Sequence, residues 1–361
     1  MPYGPPDAID LRAVRRALVV TLKHHGDVLL ASPVFSVLRR AAPWAEIDAL
    51  IYGETREMLS FHPAIAQIHA IERAWKSQGA LTRAAAEWRL FSSLRARGYD
   101  LLVHLTDHPR GAWLARFLGA RHAIAPDLPG KSAFWRASFT HRYPQAGRRH
   151  TVEFNLDALR RIGIRPDPGD RALVLNPGAE AQSRAAALLA ANGLAGGDFI
   201  HLHPASRWQF KCWPARLVAA LADQLHRRGE RLVITAAADE RELALVAGIR
   251  ERSAAPLVDF SGKISLKELA AIAARARMFI GVDSAPVHIA SAMGTPVVAL
   301  FGPSGEAEWR PWMTPHRVVA SAAHPCRPCG NDGCGGGKVS ECLEELPVDA
   351  VLAAVDSLLA E

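Results

Sequence analysis

The chain has 361 residues, of which 49% are hydrophobic and 22% charged, and its formal net charge is +7. This composition excludes a disordered tail, and the charge is too small to indicate nucleic acid as the partner. No run reaches about 18 apolar residues, the length of a membrane-spanning helix. The first ten residues, MPYGPPDAID, lack the basic and then apolar pattern of a signal peptide, so we expect a cytoplasmic protein.

The length predicts two domains, at roughly 100–200 residues per domain. Residues 1–175 contain 25 basic and 16 acidic residues, a net charge of +9, whereas residues 176–361 contain 18 and 20, a net charge of −2. Such an asymmetry indicates that the two halves have different partners. We take these two ranges as the predicted domains, with a boundary in the Gly- and Ala-rich stretch 170–197.

Short apolar runs alternate with helical patterns in the first half of the chain. Strands are predicted at residues 17–22, 47–51 and 100–105, and helices at 28–40, 55–59, 80–97, 111–118 and 151–162. This alternation is typical of a parallel sheet covered by helices. Residues 121–150 are rich in Arg, His, Pro and Gly, and they are predicted to form an irregular basic loop.

The alternation restarts in the second half. Strands are predicted at residues 199–203, 231–235, 257–260, 278–282 and 296–301, and helices at 214–228, 239–252, 266–276 and 285–293. The chain is therefore predicted to be an α/β protein with two doubly wound sheets. Two such domains leave a cleft between the carboxyl ends of their sheets, where ligands bind in this architecture.

A first candidate site, KHHGDV, directly follows the first predicted strand. Asp27 lies there at the open end of the sheet and can act as a general base toward a substrate hydroxyl, with Lys23, His24 and His25 setting its electrostatic field. Equally, Asp27 can simply cap the helix that begins here.

A second candidate site, PASRWQFKCWP, follows the first strand of the second half. Ser206 and Lys211 flank a turn before a helix, and a lysine at that edge can neutralise a phosphate together with backbone N–H groups. The alternative is a solvated loop whose tryptophans pack for structural reasons.

A third candidate site lies in FIGVDSAPVHIA, where Asp283 or Ser284 caps a helix that begins at Ala285. The free N–H groups of that helix end form a ready diphosphate site, and His288 lies four residues after Ser284 on the same side. The alternative is an ordinary capped helix with a buried histidine. The fingerprints of dinucleotide-binding dehydrogenases and of P-loop hydrolases do not occur in the sequence.

Four of the five cysteines are crowded into the segment HPCRPCGNDGCGGGKVSEC. The spacing of Cys326, Cys329, Cys334 and Cys342 is compatible with a small structural zinc site, which would have no open position for catalysis. Reduced cysteines that bind nothing are an equal alternative.

The third motif and its continuation, GVDSAPVHIASAMGTPVVALFGPS, resemble the signature of glycosyltransferase family nine, the lipopolysaccharide heptosyltransferases. The resemblance extends to KHHGDVLLASPVFSVLRRAAPWAEIDALIYGETREMLSFHPAIAQIH, to the FKCW loop, to FSGKISLKELAAIAARARMFIG and to WRPW at 309–312. It covers essentially the whole chain, and HHGDVLL and FKCW are most similar to the heptosyltransferase III branch.

The resemblance implies a GT-B fold, in which two Rossmann-like domains face each other across the active site. It implies that the second domain binds ADP-L-glycero-β-D-manno-heptose and the first binds the inner core of lipopolysaccharide. The implied reaction inverts the anomeric centre and requires no metal or other cofactor. It further implies a cytoplasmic enzyme peripheral to the anionic inner membrane.

The family's residues are carried over onto matching positions of this chain. Asp27 matches the proposed general base, and Lys211 matches the basic residue on the donor diphosphate. Ser206 matches a hydroxyl position in the same loop, while Asp283, Ser284, Ala285 and His288 match the donor motif, in which relatives commonly have Thr-Gly where this chain has Ser-Ala. Glu240 is our choice for the partner of the ribose, with Asp239 or Glu242 as alternatives.

The basic first half suits an acidic acceptor. Lys23, His24 and His25, together with Arg136 and Arg142 of the basic segment, are the candidate acceptor-binding residues. Two other hypotheses remain: a transferase of the same fold that uses a rhamnosyl or hexosyl donor, and a binding module without turnover.

Overall fold

The computed structural model describes residues 5, 7–145 and 147–360, so most of the first six residues and residue 146 of the predicted basic loop lie outside the described residues. The chain divides into two compact units, residues 1–176 and 177–361, and each unit is described by itself. The division lies one residue after the boundary taken from the sequence.

The first unit contains a parallel sheet of six described strands in the order β3-β2-β1-β4-β5-β6. Its strands are β1 Arg16–Val20, β2 Glu46–Tyr52, β3 Gln67–Ile71, β4 Leu101–His104, β5 His122–Asp127 and β6 His141–Pro144. Its helices are α1 His25–Leu29, α2 Ser32–Ala41, α3 Ala80–Arg97, α4 Arg110–Phe117, α5 Ala133–Ser138 and α6 Thr151–Arg160. Short 3-10 helices at Leu11–Ala13, Gly53–Met58, Arg73–Ser77 and Gly169–Arg171 complete the unit.

The second unit contains another parallel sheet of six described strands, in the order β12-β11-β10-β7-β8-β9. Its strands are β7 Ile200–His203, β8 Leu232–Ile234, β9 Leu257–Asp259, β10 Met278–Val282, β11 Val297–Phe301 and β12 His316–Ala320. Its helices are α7 Ala179–Ala191, α8 Ala215–Arg227, α9 Glu240–Arg252, α10 Leu266–Ala273, α11 Ala285–Ala292, α12 Glu306–Trp309, α13 Glu341–Glu344 and α14 Val348–Leu359. Short 3-10 helices lie at Gln209–Lys211 and Cys334–Gly336.

The central strands are buried on both faces, which explains their apolar sequences. All four residues of β4 and of β7, and every residue of β10 and β11, are buried. Parallel sheets covered by helices on both sides require such runs, because each side chain meets a helix or the core. The α/β fold class with two parallel sheets is therefore confirmed.

The parallel register places the candidate residues at the carboxyl edges of the sheets. Val20, at the end of β1, pairs with Leu50 of β2 and with His104 of β4. Gly281 of β10 pairs with His203 of β7, so the loops that follow these two strands begin side by side. These are the edges where open α/β sheets bind ligands.

The prediction of an irregular loop over residues 121–150 is wrong. The segment forms β5, α5 and β6, although residue 146 is not described. His141 and Tyr143 of β6 are buried, whereas Arg142 between them faces outward with its Nε 3.6 Å from Asp127 Oδ1. The polar residues alternate because β6 is an edge strand with one solvated side.

None of the helices within the described ranges is both long enough and apolar enough to cross a membrane.

Candidate active site

Asp27 lies in the first turn of α1, shortly after the carboxyl end of β1. His24 occupies the N-cap position of α1, so Asp27 is not the capping residue. The Nζ of Lys23 lies 3.5 Å from Asp27 Oδ1, and the Asp27 side chain is 19% exposed. His25 donates from Nε2 to the carbonyl oxygen of Glu54 at 2.9 Å. The structure thus presents a partly exposed carboxylate next to an ammonium group at the carboxyl edge of the sheet.

Arg136 and Arg142 lie close to each other but not beside Asp27. Arg142 Nη1 donates to the carbonyl oxygen of Arg136 at 3.2 Å. Arg142 belongs to β6, the edge strand three positions from β1 in the sheet, a separation of about 14 Å at the usual spacing of strands. The five predicted acceptor residues therefore form two separate groups.

Lys211 comes from the loop after β7, and local hydrogen bonds fix that loop. Ser206 is buried and its Oγ accepts from the backbone N–H of Trp208 at 3.3 Å. The N–H of Lys211 then donates to the Trp208 carbonyl at 2.8 Å, which closes the 3-10 turn. Ser206 thus shapes the turn that carries Lys211.

Lys211 pairs directly with Asp283. The Lys211 Nζ lies 2.6 Å from Asp283 Oδ2, and the Asp283 side chain is 7% exposed. Asp283 follows β10, the strand that neighbours β7. Two motifs predicted separately from the sequence therefore belong to one site.

The helix α11 begins beside this ion pair. Ser284 is its N-cap residue, and within the described residues its hydroxyl donates to the Val282 carbonyl at 3.1 Å rather than capping the helix. Ala285 is the first residue of α11, and His288, one turn further, is buried. The N–H groups of the first helical turn thus lie next to an ammonium group, an arrangement that suits an anionic ligand.

The structure separates the three candidate partners of the ribose. Asp239 caps α9, because its Oδ1 accepts from the N–H groups of Arg241 and Glu242. Glu242 is buried and accepts from the N–H of Ala237 at 2.9 Å, and burial raises the pKa of its carboxyl group. Glu240 is exposed at the start of the helix. Our choice of Glu240 stays a prediction.

Sequence reasoning missed a set of contacts that hold the Lys211 loop on the side facing the protein interior. The buried Ser340 donates from Oγ to the Phe210 carbonyl at 2.6 Å. Trp213 Nε1 donates to the Leu346 carbonyl at 3.1 Å, also in the interior. These residues are about 130 positions apart along the chain, and no local pattern in the sequence relates them.

A second missed feature is a buried polar chain under the same loop. The Thr235 hydroxyl lies 2.7 Å from His201 Nε2 and 2.9 Å from His203 Nδ1. Burial lowers the pKa of both imidazoles to about 3, so they stay neutral. The signal in the sequence for this buried chain was the pair of histidines at alternate positions of β7.

The predicted structural zinc site is not supported. Among the described residues, no group of three or more His, Cys, Asp or Glu side chains is arranged to hold a metal ion. The thiols of Cys326, Cys329 and Cys334 are exposed, and that of Cys342 is buried. Backbone contacts order the loop instead, including the bond from the N–H of Cys334 to the Val339 carbonyl at 2.6 Å.

Comparison with known proteins gives a consistent result. The model of glycosyltransferase family 9 (heptosyltransferase) matches residues 87–339. The chain is 36% identical over 340 residues to lipopolysaccharide heptosyltransferase 3 of Escherichia coli, covering 94% of this chain and 97% of the relative.

Solved structures support the same fold. The glycosyl transferase family 9 structure from Veillonella parvula matches with a TM-score of 0.83 and 24% identity, covering 98% of this chain and 99% of the other. The E. coli heptosyltransferase WaaC, solved with ADP-2-deoxy-2-fluoro heptose, matches with a TM-score of 0.70 and 20% identity, covering 95% and 99%.

Proposed function

The chain belongs to glycosyltransferase family 9, and from this membership we propose that it transfers heptose from ADP-L-glycero-β-D-manno-heptose to the inner core of lipopolysaccharide. The observation that carries the proposal is the contact of Lys211 with Asp283 at the start of α11. It combines the chemistry of a diphosphate site with the edge where α/β sheets bind ligands. The E. coli lipopolysaccharide heptosyltransferase, to which the chain is similar over most of its length, supports the choice of heptose as the donor sugar and of lipopolysaccharide as the acceptor.

The second unit binds the donor in this proposal. Lys211 and the N–H groups of the first turn of α11 bind the diphosphate, with Ser206 holding the loop. Asp283 and Ser284 fix the junction, Ala285 lets the phosphate approach the backbone, and His288 lies one turn below. Glu240 accepts from the ribose hydroxyls.

The first unit binds the acceptor, and Asp27 is the general base. Asp27 removes the proton from an acceptor hydroxyl while that oxygen attacks the anomeric carbon of the heptose. The bond from that carbon to the ADP oxygen breaks in the same step, so the configuration inverts. Lys211 offsets the charge that develops on the departing ADP, a task that a divalent metal performs in other transferases. On this account the reaction requires no metal.

The acceptor determines the cellular location. Lys23, His24 and His25 lie beside Asp27, and Arg136 and Arg142 form a second, separate basic group at β6. We infer that these residues attract the phosphorylated and acidic sugars of the core, and that the enzyme works on the cytoplasmic face of the inner membrane.

The experiment is a transfer assay with purified protein, ADP-heptose and a core acceptor that lacks one heptose. We expect release of ADP and, by mass spectrometry, an acceptor heavier by one heptose. Thermal shift with ADP, UDP and GDP tests the donor: stabilisation by UDP or GDP but not ADP contradicts the proposal and favours another nucleotide sugar. Donor binding without any product favours the binding module.

A further inference from the structure

Three helices of the first unit expose large aromatic side chains. Trp88 of α3 is 69% exposed, Trp113 and Phe117 of α4 are 56% and 45% exposed, and Phe134 of α5 is 41% exposed. The Trp113 ring lies 5.4 Å from that of Phe117 and 4.9 Å from that of Phe134, measured between centroids. Exposed aromatic residues in contact with one another form a patch, which soluble surfaces rarely carry without a partner.

The helix α3 lies beside α4, so Trp88 is on the helix next to the cluster of Trp113, Phe117 and Phe134. Arg110, at the start of α4, donates from Nη2 to Glu87 Oε1 of α3 at 2.7 Å. Near the other end, Arg95 of α3 donates from Nη1 to the Phe117 carbonyl at 2.7 Å. In α3, Leu81 is 87% exposed and lies two turns before Trp88, on the same side of the helix. We call the exposed side of α3, α4 and α5 the aromatic-basic face.

This face carries strong positive charge. The three helices contain seven arginines and a single acidic residue, Glu87, in their sequences. Five of these arginines are exposed: Arg83, Arg89, Arg95, Arg116 and Arg136. Glu87 is already engaged with Arg110.

We propose that the aromatic-basic face docks on the surface of a bilayer that contains anionic lipids. Tryptophan and phenylalanine favour the boundary between headgroups and acyl chains, and neighbouring arginines bind lipid phosphates. Buried residues such as Ala112 and Leu114 hold α4 on the sheet, so its exposed side is already ordered and docking costs little conformational entropy.

The same observations disfavour other occupants. A second copy of the chain would bring two positive faces together, which costs free energy. Nucleic acid binds aromatic residues whose faces are open to bases, whereas Trp113 and Phe117 stack on each other with 14° between their planes. The lipid surface fits both the charge and the paired rings.

The position of the face agrees with a lipid-linked acceptor, and this part of the inference rests on the proposed function. The helix α4 begins after β4, the neighbour of β1 in the sheet, so its first turn lies at the edge that carries Asp27. A bilayer touching this face places lipid-anchored sugars next to that edge.

The test measures binding of the full chain to vesicles by flotation. Vesicles of phosphatidylcholine alone are compared with vesicles that also contain phosphatidylglycerol, at low and high salt. We expect binding only to the anionic vesicles, weakened by salt. The W113S/F134S variant should bind about tenfold more weakly. The R89E/R116E variant, which reverses two charges, should lose affinity by about fivefold or more for each arginine replaced. Met313→Asn removes an apolar side chain that is 54% exposed in the second unit and serves as the control.

Insertion of the rings has its own signature. Brominated phospholipids should quench tryptophan fluorescence less in Trp113→Phe than in the wild type, although this variant still binds. Unchanged binding of both double variants, a wild type that dimerises through the face, or tighter binding to a single-stranded oligonucleotide than to vesicles overturns the proposal. Melting temperatures show that the variants are folded.

An activity assay separates this inference from the proposed function. With a lipid-free core oligosaccharide, W113S/F134S should turn over like the wild type, whereas with acceptor in vesicles it should be slower. If the wild type binds vesicles but transfers no heptose to either acceptor, the proposed function fails and the docking surface stands.

Discussion

Lys211 and Asp283 are 72 positions apart in the chain, yet their side chains form an ion pair with Nζ 2.6 Å from Oδ2. The contact joins the loop after β7 to the start of α11. The Asp283 side chain is almost fully buried and the Lys211 side chain is 23% exposed, so the lysine is the partner that can turn toward a ligand. In the proposed mechanism, the aspartate holds Lys211 in place until the donor diphosphate binds.

We therefore predict different effects of Lys211 on stability and on turnover. Lys211→Met should lower kcat by about 10²–10³-fold, because the departing ADP loses its charge partner. It should also lower the melting temperature, because Asp283 becomes a buried charge without its counter-ion. The K211M/D283N variant should regain the melting temperature but not the turnover. Arg228→Met, which breaks the surface pair with Asp356, is the control and should change neither. Recovery of turnover in the double variant would contradict the assigned role.

Asp27 allows a prediction that separates chemistry from donor binding. Asp27→Asn should lower kcat by about 10²–10⁴-fold, since the amide cannot accept the proton of the acceptor hydroxyl. The Kd of ADP should stay the same, because the donor residues belong to the second unit. Asp10→Asn removes another carboxylate of the first unit, one that is more exposed than Asp27 and pairs with Arg12, and it should leave kcat unchanged. Isothermal titration calorimetry gives the Kd, and ADP release gives kcat. Wild-type turnover in Asp27→Asn would show that another group is the base.

The strands that the sequence predicted and those that it missed differ in their surroundings. The strands β1, β7, β10 and β11 are buried apolar runs inside the sheets. Among the missed strands, β5 lies inside its sheet between β4 and β6, and its short apolar run stands in a segment rich in Arg, His and Pro, whereas β3, β6 and β12 lie at sheet edges. Polar residues such as Arg142 face solvent there, and the resulting pattern resembles a loop. The helix α7 was missed because its alanines, mostly exposed, give little apolar periodicity.

The candidate site was likewise only partly predictable from the sequence. The residue types at the ends of β1, β7 and β10 were sufficient to propose Asp27, Lys211 and Asp283 as candidate site residues, and their roles stay predictions. The pairing of Lys211 with Asp283 depends on the register of β7 and β10, which a single sequence does not show. The contact of Ser340 with the Lys211 loop joins segments without a shared local pattern, so only the folded chain reveals it.

The contact of Ser340 with the Lys211 loop leads to a further prediction. Ser340→Ala leaves the buried Phe210 carbonyl without its donor, which should lower the free energy of unfolding by about 1–3 kcal/mol and weaken ADP binding through the loosened loop. Ser340→Thr keeps the hydroxyl and should restore the Kd of ADP. Ser253→Ala is the control, because that hydroxyl donates to Asp223 at 2.7 Å in another part of the second unit. Equal effects of both alanine variants on the Kd of ADP would mean that Ser340 acts on stability alone.

The cysteines should fall into two groups of reactivity. Burial raises the pKa of Cys212 to about 11, and burial also raises that of Cys342. At pH 8 only about one Cys212 in a thousand is thiolate, the form that reacts. Ellman's reagent should therefore titrate three thiols rapidly in the folded protein and five after unfolding. Cys329→Ser should reduce the rapid group by one, and Cys212→Ser should not change it. Rapid reaction of Cys212 would contradict the raised pKa of its thiol.

The lowered pKa of His62 predicts that the folded protein loses stability at acidic pH. Burial lowers its pKa from 6.5 to about 4, so the folded state stays neutral where the unfolded state already binds a proton. Stability is complete above pH 6.5 and falls as the pH drops toward 4, by about 3 kcal/mol for this residue. In the folded chain, Nε2 donates to the Ser32 carbonyl and Nδ1 accepts from the N–H of Ala64.

His62→Gln can keep this hydrogen-bond pattern without titrating, so its melting temperature should fall less steeply between pH 7 and pH 4.5. The exposed His226→Gln serves as the control and should follow the wild type. If all three proteins show the same slope, His62 does not contribute to the acid sensitivity.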